Sequence, residues 1–483
     1  MFRIAPALAL MCATLALGSC APDEVAGPLS LSVIGGRLHL ADPNHSALDP
    51  ASSLLLGATA QGLVAFDEEG QVEPALAERW VTTDDGLSYI FRIRRAKWAN
   101  GRDVTSAEVA ARLNEAFGAI GNSRMRPLFS SVVGAISMTG QVVQIQMRAP
   151  QPNFLQILAQ PELALFRASP SQGSGPYKIH SVKGIVTRLR LIPETEDPED
   201  VPDPNLTDVR IRGEKASIGV ARFAAHDIAL VIGGGFNDIA LARAANVPNN
   251  QFQVDPAYGL FGLAVSADSS ALAESNMRRA LAMAIDREKL VQLFGVNSWQ
   301  TAVTILPNQL DSAARPAGPE WTQLSLDQRI ARARGLVKGH VTLKLALPKG
   351  TGARLLLAAL ASDWRRIGID VQPVGLRDAA DLRLIDEVAP QSSALWYLTR
   401  LSCGHGMFCS ENGETALKAA LNARTIDERA NAIGEADAAF AGVQGYIPIA
   451  LPLRWSLVSP QLVGWRPSAF AIHPLRQLRG EAN

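Results

Sequence analysis

Few residues in this chain could do chemistry, and they are scattered along it. Cys403 and Cys409 flank His405 in the stretch CGHGMFC, which could be a disulfide or part of a metal site. A structural zinc site needs four ligands. Cys-x-His-x3-Cys supplies no fourth at matching spacing, so the expectation is a Cys403–Cys409 bridge, with metal as the rival. Gly233, Gly234 and Gly235 follow an apolar run at 228–232 and precede a helical stretch, the outline of a phosphate-cradling loop. A dinucleotide fingerprint needs a further glycine where Asp238 stands, so a plain strand-to-helix turn is expected and no cofactor. No GxSxG, HExxH or SxxK pattern sits in a convincing strand-turn-helix context, and His45, His180, His226 and His340 lie far apart. An enzyme is therefore not expected. Recognition chemistry is better represented. Trp396 and Tyr397 offer flat faces for a ligand, and Arg454, beside Trp455, could hold a carboxylate through two parallel hydrogen bonds. Trp98, Trp364 and Trp455 read mainly as packing residues.

The elements that must position these residues alternate. Residues 29–34 and 37–40 read as a hairpin about Gly35-Gly36, and 51–61 as a helix stopped by Gly62. Tyr89, Phe91 and Ile93 share one face of a half-buried strand. Thr105-Ser106-Ala107-Glu108 fits a capping box, opening a helix to Phe117. Strands are expected at 142–147, 178–179, 186–192 and 208–211, a single helix at 277–294, and one or two helices at 416–441 ahead of an apolar run at 447–453. Residues 341–347, 352–367 and 369–374 form a strand-helix-strand unit, which favours parallel pairing.

Composition narrows the class. The chain of 483 residues is 47% hydrophobic, enough for real cores, and carries 46 basic and 46 acidic side chains. Near-neutrality without a run of four Lys or Arg argues against a nucleic-acid partner. The length far exceeds one domain of roughly 150 residues, so two or three lobes are expected. At the start, Arg3 precedes an apolar run at 4–17, too short to span a bilayer and ending in small residues. This reads as a secretory signal, residues 1–19. Leu17-Gly18-Ser19-Cys20 resembles a bacterial lipobox, which makes Cys20 the expected lipidated first residue, with 20–28 as a tether and the cell envelope or periplasm as the location.

Several stretches, in order, resemble the extracytoplasmic solute-binding proteins of the peptide and nickel importer class, family 5. The densest is GLVAFDEEGQVEPALAERWVTTDDGLSYIFRIRRAKWANGRDVTSAEV, from Gly62 to Val109. GSGPY from Gly173, MRRALAMAIDREKLV from Met277 and RRIGIDVQPV from Arg365 continue the likeness. The resemblance implies an α/β, two-lobed type II (cluster C) periplasmic binding fold with an extra domain inserted in the first lobe. On that template the first lobe takes 29–50, 166–262 and 456–483, the insert 51–165, and the second lobe 263–455. It implies a monomer that captures small solutes, chiefly oligo- or dipeptides, for the permease of an ABC importer. Nickel chelates, haem, opines and a sensor or scaffold role are the alternatives. Peptide-binding relatives pair an aspartate of a D-x3-P segment with the ligand's ammonium group. Asp386 and Pro390 keep that spacing, with Glu387 as the substitute. A buried carboxylate requires a positive partner, and an ammonium arriving with the ligand supplies one.

Overall fold

The structure, a computed structural model, describes residues 27–67, 69–118, 125–193, 203–308 and 310–478. The expected signal, Cys20 and most of the tether lie outside them. Two sheets dominate. The first has seven strands in the order Phe252–Val254, Arg454–Val458, Leu230–Gly235, Leu29–Ile34, Val209–Glu214, Val186–Leu191 and Tyr177–Lys183. Leu29–Ile34 is nearly buried throughout and runs parallel to the neighbour on each side, as a central strand covered on both faces should. Those two partners occupy both of its edges. The expected hairpin therefore does not form: after Gly35 and Gly36, both at positive φ, residues 37–40 leave the sheet, and the carbonyl of Gly36 passes over Gly213 so closely that a Cβ there would overlap it.

The second sheet orders its strands Ile369–Gly375, Val341–Leu347, Leu382–Val388, Gly259–Val265 and Tyr446–Ala450. Val341–Leu347 and Ile369–Gly375 are parallel, joined by helix Thr351–Arg365, which buries Leu356, Leu360 and Trp364 completely. The stretch 277–294 is two helices, Ser275–Ala284 and Arg287–Leu293. The break has a local cause. Asp286 leaves helical geometry and its carboxylate caps the second helix at the Lys289 amide, 3.2 Å. Residues 416–441 likewise resolve into Glu411–Asn422 and Ile426–Val443. No helix among the described residues is long and apolar enough to cross a membrane.

The chain leaves the first sheet after Val254 and enters the second at Gly259. It returns between Ala450 and Arg454. Gly259–Val265 thus lies wholly in the second sheet, and Arg454 and Trp455 in the first. The crossing strands lie side by side, with Val254 opposite Trp455 and the Asp255 amide bonded to the Arg454 carbonyl at 3.0 Å.

Residues 51–165 contribute a four-stranded antiparallel sheet, Ala77–Thr82, Ser88–Ile93, Val142–Met147 and Val132–Met138, with helix Ser106–Gly118 against it. The Thr105 hydroxyl caps the Glu108 amide at 3.2 Å. The reciprocal half of the box is missing, because the Glu108 carboxylate accepts from the Trp98 indole and from Arg167 instead, each at 3.1 Å. The apolar core of this sheet, with Phe91, Leu113 and Phe154, is continuous with that of helices Ala394–Arg400 and Ile426–Val443 in the second lobe. Polar contacts reinforce that junction. Asn153 donates to the Ser392 carbonyl at 2.8 Å, the Ser392 amide donates to Gln156 at 2.8 Å, and Gln160 donates to the Pro390 carbonyl at 2.6 Å.

Candidate functional site

Between the two sheets and the insert lies a cavity of about 1690 Å³, larger than the 300–1,000 Å³ usual for a drug-sized ligand. The first sheet contributes the ends of its central strands, Val33 and Ile232 to Gly234. The second contributes Asp386 to Pro390 with Trp396 and Arg400, and Arg454 and Trp455 close the side at the chain crossing.

The glycine run belongs to this wall. Strand Leu230–Gly235 continues through it, placing Gly234 opposite Trp455 and Gly235 opposite Arg454. A Cβ on Gly234 would fall inside the Trp455 ring. The expected strand-to-helix turn is therefore strand up to Gly235, and absence of a side chain admits an indole that donates to the Gly235 carbonyl at 2.9 Å and stacks on Phe252.

Asp386 and Glu387 end the central strand of the second sheet. Both already hold cations. Arg454 donates to Asp386 Oδ1 at 2.8 Å, each side chain about one-fifth exposed (21%). Arg400 forks onto Glu387, Nε and a terminal nitrogen each at 2.9 Å. Burial works against the Arg400 cation, but the paired hydrogen bonds it donates to the Glu387 carboxylate outweigh it and hold its pKa above the ordinary arginine value. Burial first, and then the negative charge of Glu387, raises the Tyr446 hydroxyl well above the usual tyrosine range. The structure thus brings together the residue expected to take a ligand ammonium and the residue expected to take a ligand carboxylate, but as partners of each other.

The aromatic pair divides. Trp396 lines the cavity while almost fully buried (7% exposed). Tyr397 packs edge-on against it at 4.9 Å, is 0% exposed, and has a hydroxyl without a hydrogen-bond partner among the described residues. Burial lifts that hydroxyl above the tyrosine range. Tyr397 is core, not wall, because consecutive helix residues point about 100° apart. Below this helix Cys403 and Cys409 form a disulfide.

Two charged wall residues carry no sequence signal. Glu162 lies in a single turn, Pro161–Leu163, and Arg94 follows strand Ser88–Ile93. Both face the cavity, and among the described residues no side chain pairs with either. The Nε of Arg94 is buried without a partner. Burial raises the Glu162 carboxyl above the ordinary glutamate range, with only its own backbone amide opposing. Nothing local marks either residue, since PEL and RIRRA are ordinary surface-like stretches.

Comparison with known proteins follows the same architecture. Residues 71–407 match the family described as bacterial extracellular solute-binding proteins, family 5 Middle. The glutathione-binding protein GsiB of Escherichia coli K12 is 27% identical over 184 residues, covering 36% of this chain and 35% of GsiB; the matched stretch thus spans about a third of that relative. The E. coli murein tripeptide binding protein MppA superposes with a TM-score of 0.79 at 18% identity, covering 93% of this chain and 98% of MppA. Haemophilus influenzae OppA, in complex with RPPGFSPFR, gives 0.77 at 17% identity over 93% and 98%. The two superpositions show the expected two-lobed fold.

Proposed function

The chain belongs to family 5 of the bacterial extracellular solute-binding proteins, and from that premise we propose that it captures a short peptide between its two sheets and presents it to the permease of an ABC importer. The cavity carries this reading. It is walled by both sheets, between which the described residues cross at two adjacent places, so a ligand inside contacts both lobes only when they are shut. Such a ligand shifts an open-closed equilibrium, and moving it from mostly open to mostly closed takes about 5.5 kcal/mol of differential binding. Peptides are favoured because the similar proteins carry peptide names, the nonapeptide complex of OppA, the murein tripeptide of MppA and the glutathione of GsiB. Trp396 serves as a flat wall for the ligand. The ligand leaves chemically unchanged, and Cys20 holds the protein to the envelope by lipid.

Native mass spectrometry of the protein purified without denaturation reads any retained ligand and whether its mass is altered. A thermal-shift screen of di- to pentapeptides, glutathione, nickel chelates, haem and opines then ranks the classes. A ligand at a hundred times its Kd stabilises by about 2.7 kcal/mol, which raises the melting temperature by a few degrees. Stabilisation by a chelate or haem with no response to any peptide refutes the peptide assignment. Labelling with a radioactive fatty acid, lost in Cys20→Ala, tests the anchor.

A further inference from the structure

We infer that the ligand's ammonium group is received by Glu162 and its carboxylate by Arg94, on the insert, while Asp386 and Arg454 act as an internal latch beside them. This rests on the peptide reading above and adds where the two ends of the peptide sit. The starting point is charge accounting in the wall. Asp386 and Glu387 each hold an arginine at 2.8 to 2.9 Å, so neither carries an unmet charge for an incoming ammonium. Among the described residues Glu162 does, and so does Arg94, whose Nε is buried without a partner there. Both residues are half-buried in the wall; a charge partly withdrawn from water gains when an opposite charge meets it, and a zwitterionic ligand meets both at once.

Geometry supports the assignment. The Glu162 turn is held on both flanks, by Gln160 to the Pro390 carbonyl at 2.6 Å and by the Leu165 amide to the Gln61 carbonyl at 3.0 Å. It therefore sits where the insert touches the second lobe, next to the segment that carries Asp386. Arg94 is reached through neighbouring strands. The Leu163 carbonyl lies 3.5 Å from where a Cβ on Gly62 would stand, the Leu76 amide bonds the Gly62 carbonyl at 3.1 Å, and the Arg94 amide bonds the Leu76 carbonyl at 3.0 Å. Three such links at strand spacings of about 4.8 Å place the two backbones at most about 14 Å apart. An extended peptide advances about 3.3 Å per residue, so the span suits a di- to tetrapeptide with both ends free. The raised carboxyl of Glu162 has a further consequence. When an ammonium arrives, the charged form is favoured, and binding releases a proton at mildly acidic pH.

The test is calorimetric titration of trialanine, N-acetyl-trialanine and trialanine amide into the wild type, Glu162→Gln, Arg94→Gln and Asp386→Asn. The wild type is expected to prefer the free amino terminus to the acetylated one by at least 30-fold. Glu162→Gln is expected to cut that ratio below 3, Arg94→Gln to erase the preference for the free carboxylate over the amide, and Asp386→Asn to keep the amino-terminal ratio above 10. Proton release on wild-type binding, read in two buffers of different ionisation enthalpy, tests the same point without a variant. If Asp386→Asn abolishes the preference while Glu162→Gln retains it, or if binding releases no protons at mildly acidic pH, the assignment to Glu162 is overturned and peptide binding stands. If the wild type binds no member of the series and no other short peptide, the peptide reading itself fails and takes this inference with it.

Discussion

The ion pair between Asp386 and Arg454 sets up the sharpest prediction. It links the end of a second-sheet strand to the crossing strand that begins in the first sheet, N to O 2.8 Å, with each side chain 21% exposed. Charges about 4 Å apart attract by roughly 4 kcal/mol at an effective dielectric of 20, and desolvation offsets most of that. Exposed pairs are worth about 0–1 kcal/mol, whereas removing one partner of a fully buried pair costs about 3–5. A pair one-fifth exposed lies between, so a coupling of about 1–2 kcal/mol is expected. The assay is a double-mutant cycle of Asp386→Asn, Arg454→Gln and the double variant, read by urea unfolding and by peptide affinity. A latch makes the two single variants lose affinity by similar factors, within about 3-fold, and the double variant loses no more than either. A ligand-receiving Asp386 behaves differently, because Arg454→Gln then frees its charge and tightens binding while Asp386→Asn abolishes it. That second pattern, or a coupling below about 0.3 kcal/mol, would refute the latch.

Three other outcomes follow from packing and titration. Gly234→Ala drives a methyl into the Trp455 ring and strains its bond to Gly235, so stability falls by about 2–3 kcal/mol; an unchanged urea midpoint contradicts the packing. Replacing Cys403 and Cys409 with serine opens a loop closed across six positions and lowers unfolding free energy by about 2 kcal/mol, with dithiothreitol giving the same loss in the wild type and none in the variant. Asp437, 2% exposed on helix Ile426–Val443, is pushed up to about 6 by burial, opposed only by its bond from the Ala317 amide. Its folded pKa lies above the unfolded one, so the folded state binds the proton more tightly and stability drops as pH rises from about 4 to 6, by about 3 kcal/mol in total. Asp437→Asn is expected to flatten that part of the pH profile and to be the more stable form at pH 7.5, and a profile identical to wild type shows the carboxyl is not the source.

Local pattern carried much of the architecture. Tyr89, Phe91 and Ile93 alternate into the insert core and Leu356, Leu360 and Trp364 recur at helical spacing, and each lies where its period placed it, because burying an apolar face is decided within a few residues. The ordered motifs from Gly62 onward similarly announced the two-lobed fold. The hairpin at 37–40 failed for a reason no local window contains: the neighbouring strand had no free edge once two distant segments paired with it. The break at Asp286 went unread because helical periodicity continues on both sides of it, from 277 to 294, and outweighs one capping residue within the run.

The site divides in the same way. The sequence by itself offered Asp386, Glu387, Trp396 and Arg454 as candidates for recognition, since residue type and motif spacing are local properties. Only the tertiary structure decided who partners whom. Asp386 meets Arg454 across 68 positions, and the side chains of Glu162 and Arg94 pair with no other side chain among the described residues. Adjacent Trp396 and Tyr397 part into wall and core by the turn of one helix. A charge is satisfied or left open by what lies within about 4 Å of it in space, and separation along the chain carries no information about that distance.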